Sequence, residues 1–589
     1  MPPDQEDNAD MTPRRAEPVA PARLTWRARL ALIGFAFLLL AVAELLLRLF
    51  NVAPPLRARD PLVEGAVLDR AYAPGRLPTG QDALVCPWIS PDYPANFQPI
   101  PLAKDPAELR IFVFGGSSSV GYPYDGRLAF SSFLEAGLNA VAADRRARVI
   151  NVAQNGIPAG TCLRLMREMA EYQPDVFVVY SGNNEYANDH VYRDIRRAGR
   201  AVAALRAAAS NLALYRGMER VALPAKARLH AAFLVGDAAS EAPAYSEPER
   251  RLIADNYEYV VNAMAELCAE RGIGLVLCTV AANEADWPPY RSTFRPETKP
   301  EEREAWLRVM GQAVNALKAG NGEAALTITA GLEAVDDARA DLHFVAGRAL
   351  LAQGAKAAAC ARFTRAMELD NVCYRARPSQ NRVLEDVARG GRAVLADGVA
   401  ALRTASGGAP FGEDRFWDHC HPRLEAHEMI ALCVGEALIG GGRFAALPGD
   451  WRVRWTGAVR EYRRGVDLSP AAVARACRNT ASGWMGLWTS HRAPDDLLRK
   501  DPAYLLRALQ YLDMAVAADP GTPGTRFYRG VVWAQLGEKE KALADWRAEA
   551  ALGSRDGPTR AVIEELLAGR IAPDRGFEQW LYIRNEMTR

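Results

Sequence analysis

The chain lacks an excess of charge of either sign: 72 lysines and arginines stand against 71 acidic residues in 589. That balance excludes the broad basic field on which nucleic-acid binding depends, so no nucleic-acid partner is expected. Cysteine is sparse too. The nine cysteines form no Cys-x-x-Cys pair and no other metal-ligand spacing, which argues against a zinc site. No motif asks for an organic cofactor, and the odd cysteine count leaves at least one thiol free. Long apolar runs are scarce, and one stands out, Leu30 to Phe50. A single core is excluded by length alone, so two to four domains are expected.

Residues 1–23 are polar and carry prolines without periodicity, which reads as a disordered cytoplasmic tail. Residues 24–50 contain the apolar run, about twenty residues and long enough to cross a bilayer as a helix. Its interruptions, Glu44 and Arg48, lie toward the end where side chains reach the headgroups. Ala41-Val42-Ala43 has the small-x-small form of a signal-peptidase site, but apolar residues continue past it, so an uncleaved signal anchor is preferred over a removed signal peptide. Arg14, Arg15, Arg23, Arg27 and Arg29 precede the span, whereas Arg57, Arg59 and Arg70 follow it. This asymmetry places the N-terminus in the cytoplasm and everything after residue 51 outside, in the periplasm of a bacterial envelope. Disulfides are permitted there. Residues 51–107, rich in proline and weakly patterned, read as a stalk or linker.

From residue 108 the pattern changes to apolar runs alternating with helical stretches. Ile111–Phe114, Val149–Val152, Val176–Tyr180, Leu275–Val280 and a weaker Val394–Ala396 read as strands, with helices such as Cys162–Tyr172 and Tyr257–Arg271 between them. Such alternation predicts an α/β domain with a parallel sheet covered by helices on both faces, its ligands gathering at the carboxyl ends of the strands. The domain is predicted over 108–300 and again over 373–440. A basic stretch from about 189 to 230, with Arg193, Arg196, Arg197 and Arg200 among nine cations, is either a helix for anionic headgroups, a lid, or a solvated face. Residues 301–372 are alanine-rich helical pairs in which Leu317, Gly320, Ala324 and Leu332 are echoed about 34 residues later by Leu351, Gly354, Ala358 and Ala366, a tetratricopeptide-like pattern. Residues 441–589 read as a second all-α region, with a similar unit at about 503–555 around Gly530, Gly537, Ala542 and Trp546.

The predicted strand ends carry the chemistry. Ile111–Phe114 runs into Gly115-Gly116-Ser117-Ser118-Ser119-Val120-Gly121, a turn that presents a hydroxyl. The second strand leads to Asn151 and Gly156, and the third to Gly182-Asn183-Asn184, whose amides can donate to an oxyanion. Far downstream, Asp418-His419-Cys420-His421-Pro422 supplies a histidine base and a carboxylate to fix its tautomer. Asn283, Trp287, Pro288 and Pro289 follow the fourth strand, as substrate contacts or as an exit loop.

In this order the serine, glycine, asparagine and histidine blocks resemble the SGNH hydrolases of the GDSL superfamily. The resemblance covers roughly 108–186, 250–292 and 375–440, and it implies a three-layer α/β/α domain interrupted by the tetratricopeptide-like helices. It implies Ser117 as nucleophile, His421 as base and Asp418 as its orienting acid, with the Ser117 N–H, the Gly156 N–H and the Asn184 side chain as the oxyanion hole. Ser118 is the alternative to Ser117, because Gly116 stands where the family usually has aspartate; Gly160 is the alternative to Gly156, and His419 to His421.

The implied function is a membrane-anchored, extracytoplasmic serine esterase that cleaves an acyl ester, of a carbohydrate or a lipid, through an acyl-enzyme and without cofactor or metal. The repeats would bind a protein partner. Acyl transfer to an envelope polysaccharide uses the same residues with a sugar hydroxyl replacing water. A catalytically inactive repeat scaffold is the third reading, disfavoured by the joint presence of Ser117, Asn184, Asp418 and His421.

Overall fold

The computed structural model describes residues 25–50, 72–77, 79–85, 98–142, 144–186, 209, 212–215, 244–444, 447–489, 495–498, 501–552 and 557–570. The expected N-terminal tail and nearly all of the basic stretch lie outside these residues. The chain divides into two compact units, residues 1–55 with 208–222, and residues 56–207 with 223–589.

In the first unit, Trp26–Leu49 forms one 24-residue helix, begun by Thr25, whose hydroxyl accepts from the Ala28 N–H at 3.3 Å. At 1.5 Å per residue it is about 36 Å long. Leu30, Ile33, Phe37 and Leu45 are exposed along it, so the helix is apolar and long enough to cross a membrane. A carboxylate in such a helix is costly unless it is bonded. Glu44 accepts from Arg48 at 2.6 Å and from the backbone N–H groups of Ala213 and Leu214, each at 2.8 Å.

The second unit is built on five parallel strands, β4 (Glu108–Gly115), β5 (Arg146–Asn151), β6 (Val176–Tyr180), β7 (Gly274–Cys278) and β8 (Val394–Ala396), in the spatial order β5-β4-β6-β7-β8. Successive β4 side chains point to opposite faces. Ile111 and Val113 pack against helices Phe130–Val141, Leu424–Gly440 and Trp451–Gly465, while Phe112 and Phe114 meet Ala159–Met169, Glu247–Arg271 and Pro378–Arg389. Both faces are dry, which is why these strands read as continuous apolar runs. Because β4 lies between β5 and β6, the chain leaves it toward one side and later returns to the other. This opens a crevice at the carboxyl end of β4.

Two stretches depart from the sequence reading. The expected stalk carries an antiparallel sheet of β1 (Ala73–Arg76), β2 (Asp82–Val85) and β3 (Ile100–Pro101). Tyr72, Leu84 and Ile100 are buried in the same core as Phe112 and Ile150, and the Tyr72 N–H donates to Glu168 at 3.1 Å. Strands of two to four residues are too short to leave a periodic signal. Past residue 440, helix Trp451–Gly465 belongs to the α/β core, not to a separate helical region. A Cβ on either Gly137 or Gly435 would come within 2.3 Å of the Trp455 ring, so both neighbouring helices leave room for that one indole.

The interruption consists of helices Pro300–Lys318, Gly322–Glu333, Ala340–Ala352 and Lys356–Leu369. Close crossings pair a glycine with a ring: a Cβ on Gly347 would lie 2.8 Å from Phe363, and one on Gly530, in the C-terminal helices, 2.3 Å from Trp546. All eight cysteines among the described residues are free thiols.

Candidate active site

β4 ends at Gly115, and Ser117 opens a single helical turn, Ser117–Val120, closed by Gly121 in the left-handed region at φ +101°. The turn gives the three serines different surroundings. Ser118 is buried, donating to the Cys420 carbonyl at 2.9 Å and accepting from the Asn183 side chain at 3.0 Å. Ser119 is fully buried and donates to the Tyr180 carbonyl at 2.9 Å. Ser117 is half-buried, and its Oγ lies 2.7 Å from His421 Nε2.

His421 reaches the serine from a loop closed on itself. Phe416 bridges Pro422, and the Trp417 N–H donates to the His421 carbonyl at 2.9 Å. Inside the loop, Asp418 accepts the Cys420 and His421 N–H groups at 3.1 Å each, and its oxygens lie 2.6 and 2.7 Å from His421 Nδ1. This places the proton on Nδ1 and leaves Nε2 to accept from Ser117. Burial alone would raise the Asp418 carboxyl, but the His421 and His419 imidazoles and the Cys420 N–H outweigh it and hold it well below the usual carboxylate range. Burial opposes charge on His421 as well, yet Asp418 and Cys420 outweigh that and push the imidazole up to about 10. His419 instead sits with Nδ1 3.4 Å from Asp418 and its ring against Trp287 and Tyr374.

Two residues of the remaining blocks, Asn151 and Asn184, touch the serine turn. The Asn151 amide, at the end of β5, donates to the Ser119 carbonyl at 2.8 Å and to Ser131 at 3.0 Å. Gly156, with φ +74°, is exposed in the following loop, while Gly160 is buried in helix Ala159–Met169. Asn184 spans the gap between blocks, its Nδ2 donating to the Ile157 carbonyl at 3.1 Å. A Cβ on Gly116 would lie 2.5 Å from that same nitrogen. An aspartate at 116 would therefore displace Asn184, which gives the glycine at this position a local steric reason.

Several residues take supporting roles that the sequence pattern did not assign to them, among them Asn183, Asn283 and Trp287. Asn183 ties the third strand to the first through Ser118 and accepts from the Ala376 N–H at 2.8 Å. Asn283 and Trp287 hold the histidine loop from behind: the Asn283 N–H donates to the His419 carbonyl at 3.0 Å, and Trp287 is buried against His419 and Trp484. Arg375, buried, donates to the carbonyls of both. The C-terminal helix Pro470–Thr489 also reaches the site. Gly483 faces Asp418, where a Cβ would lie 3.4 Å from the aspartate side chain. Trp484 donates to the Trp417 carbonyl at 3.1 Å. The Tyr122 hydroxyl donates to the Asn479 carbonyl at 3.1 Å, and its ring lies 4.3 Å from that of His421.

A partly accessible hydroxyl, a buried imidazole and a buried carboxylate in linear contact can activate the hydroxyl as a nucleophile. No protein-family model matches the chain, and no curated protein matches it either. Solved structures do. A protein described as a lipolytic member of the G-D-S-L family from Desulfitobacterium hafniense aligns over 56% of this chain and 99% of its own at 9% identity, with a TM-score of 0.26. TesA aligns over 56% and 97% at 13% identity and a TM-score of 0.23. A catalytic mutant of Axe2, an acetylxylan esterase from Geobacillus stearothermophilus, aligns over 56% and 93% at 11% identity and a TM-score of 0.26.

Proposed function

We propose that this protein is a membrane-anchored serine esterase of the SGNH type that cleaves an acyl ester outside the cytoplasm. The observation that carries the reading is the contact chain Ser117 Oγ to His421 Nε2 at 2.7 Å and His421 Nδ1 to Asp418 at 2.6 Å. Ser117 attacks the ester carbonyl while His421 takes its proton. The developing oxyanion is held by the Ser117 N–H, the Gly156 N–H and the Asn184 amide. The protonated His421 then passes its proton to the departing alcohol, and a water activated by the same imidazole releases the acid. The span Trp26–Leu49 supplies the anchor, and the arginine asymmetry around it supports an extracytoplasmic catalytic domain. The helical pairs, with glycines set against Phe363 and Trp546, serve as tetratricopeptide modules for a protein partner.

The test uses the full-length protein in detergent with p-nitrophenyl acetate and a fluorophosphonate probe. One probe per chain and release of free acetate are expected. A folded protein that neither labels nor hydrolyses would sink the reading. Acetate recovered on an added sugar instead of as free acid would identify a transferase working through the same acyl-enzyme.

Asn184→Ala gives a graded result. Losing one oxyanion donor costs about 3 kcal/mol of transition-state stabilisation, so kcat is expected to fall about 100-fold with KM little changed. Steady-state kinetics on p-nitrophenyl acetate reads this, and a change confined to KM would remove Asn184 from the oxyanion hole.

A further inference from the structure

The loop that carries the base holds more ligating groups than the acyl chemistry uses. Asp418, His419, Cys420 and His421 each offer a metal-ligating atom, and these atoms all lie within 4.8 Å of one another. Asp418, Cys420 and His421 are buried, whereas the His419 side chain is 23% exposed. The Cys420 sulfur lies within 4.8 Å of a ring nitrogen of each imidazole and 3.6 Å from Ser118 Oγ. Cysteine spacing gave no sign of this cluster. The donors are consecutive residues folded back by the Phe416–Pro422 bridge, not pairs set two apart.

We infer that Asp418, His419, Cys420 and His421 form an inhibitory site for a borderline-soft divalent cation, Zn²⁺, that competes with the catalytic arrangement of His421. Four-coordinate zinc with bonds of about 2.0–2.3 Å sets its ligands about 3.5 Å apart. The cluster therefore closes around the ion by side-chain shifts of about 1 Å, within a loop whose backbone is already pinned by the Asn283 and Asp418 hydrogen bonds. A thiolate with two imidazoles selects Zn²⁺ over Mg²⁺ or Ca²⁺, which take oxygen ligands. The thiol proton leaves to solvent as the ion enters. A His421 nitrogen bound to zinc can no longer serve both Asp418 and Ser117, so the bound form has no base. Bound zinc would hold the hydrolase off, and a chelator would release it.

The binding half of this inference stands without the esterase reading, and the inhibition half rests on it. The full-length protein in detergent is stripped of metal and titrated with Co²⁺ and then Zn²⁺. One Co²⁺ per chain is expected, with the visible bands of a tetrahedral site and a near-ultraviolet sulfur-to-cobalt band that Zn²⁺ displaces. Cys420→Ser is expected to lose the sulfur band and to bind at least about tenfold more weakly, and His419→Gln to bind more weakly while keeping the band. In parallel, saturating Zn²⁺ is expected to stop fluorophosphonate labelling of the wild type, with EDTA restoring it. Each variant is compared with its own metal-free rate.

Absence of stoichiometric cobalt binding to folded wild type would overturn the inference. Binding that survives Cys420→Ser and His419→Gln unchanged would also overturn it, because the ion would then sit elsewhere. If the metal-free wild type never labels, the esterase reading falls while the cobalt spectrum still decides the site. If cobalt binds as expected but labelling is indifferent to zinc, the inhibitory role is overturned.

Discussion

Ser117→Ala is expected to abolish fluorophosphonate labelling and to lower kcat for ester hydrolysis by about 10⁴- to 10⁶-fold, because the members of a nucleophile–base–acid set act as a unit. Ser118→Ala and Ser119→Ala are expected to keep the label. Ser118 is spent on the Cys420 carbonyl and the Asn183 amide, and Ser119 on the Tyr180 carbonyl, so neither hydroxyl is placed to give its proton to His421. Those two variants report on packing. Removing a buried hydroxyl that is hydrogen-bonded strands its partner and costs stability of about 1–3 kcal/mol, visible as a lower midpoint in urea. The experiment is intact-mass spectrometry after probe treatment, with circular dichroism to check folding. Label retained in Ser117→Ala and lost in Ser118→Ala would reassign the nucleophile.

For Asp418→Asn, kcat/KM is expected to fall about 10⁴-fold, and its pH dependence is expected to move. Asparagine keeps the shape of the side chain and can still accept from the Cys420 and His421 N–H groups, but it removes the charge facing His421 Nδ1. Only the neutral imidazole can accept the Ser117 proton. Asp418 raises the His421 pKa, so in the wild type the protonated, inactive form persists above the ordinary histidine value of about 6.5. The rate should therefore climb with pH on a limb that lies above about 6.5. Without the carboxylate the imidazole loses its proton earlier, and the limb of the residual activity moves to lower pH. Measuring kcat/KM on p-nitrophenyl acetate from acid to alkaline pH, at constant ionic strength, gives both limbs. An unchanged limb in Asp418→Asn would mean that this carboxylate does not set the charge of the base.

The blocks that form the site were legible because each sits where a local pattern ends. The apolar run Ile111–Phe114 breaks at two glycines, Val176–Tyr180 ends before Gly182-Asn183-Asn184, and Asp418 precedes His421 by one turn of loop. Those are short-range features, and composition displays them. The preference for Ser117 over Ser118 rested on spacing to Gly121 and that for His421 over His419 on the family resemblance, but the pairing of Ser117 with His421 was not legible. It depends on a contact between residues 304 positions apart.

Strand and helix alternation, an apolar span of membrane length and the strand-end blocks are properties of the sequence by itself, because periodicity and side-chain volume act over a few neighbouring residues. The tertiary structure alone decided which hydroxyl faces the imidazole, that Gly116 sits against the Asn184 amide, and that helix Pro470–Thr489 packs beside Asp418. It also decided that a loop with no metal-like spacing gathers two imidazoles, a thiol and a carboxylate within 4.8 Å. The first three are set by contacts between segments tens to hundreds of residues apart, which exist only once the core has been packed, and the last by the way the loop folds back through the Phe416–Pro422 bridge.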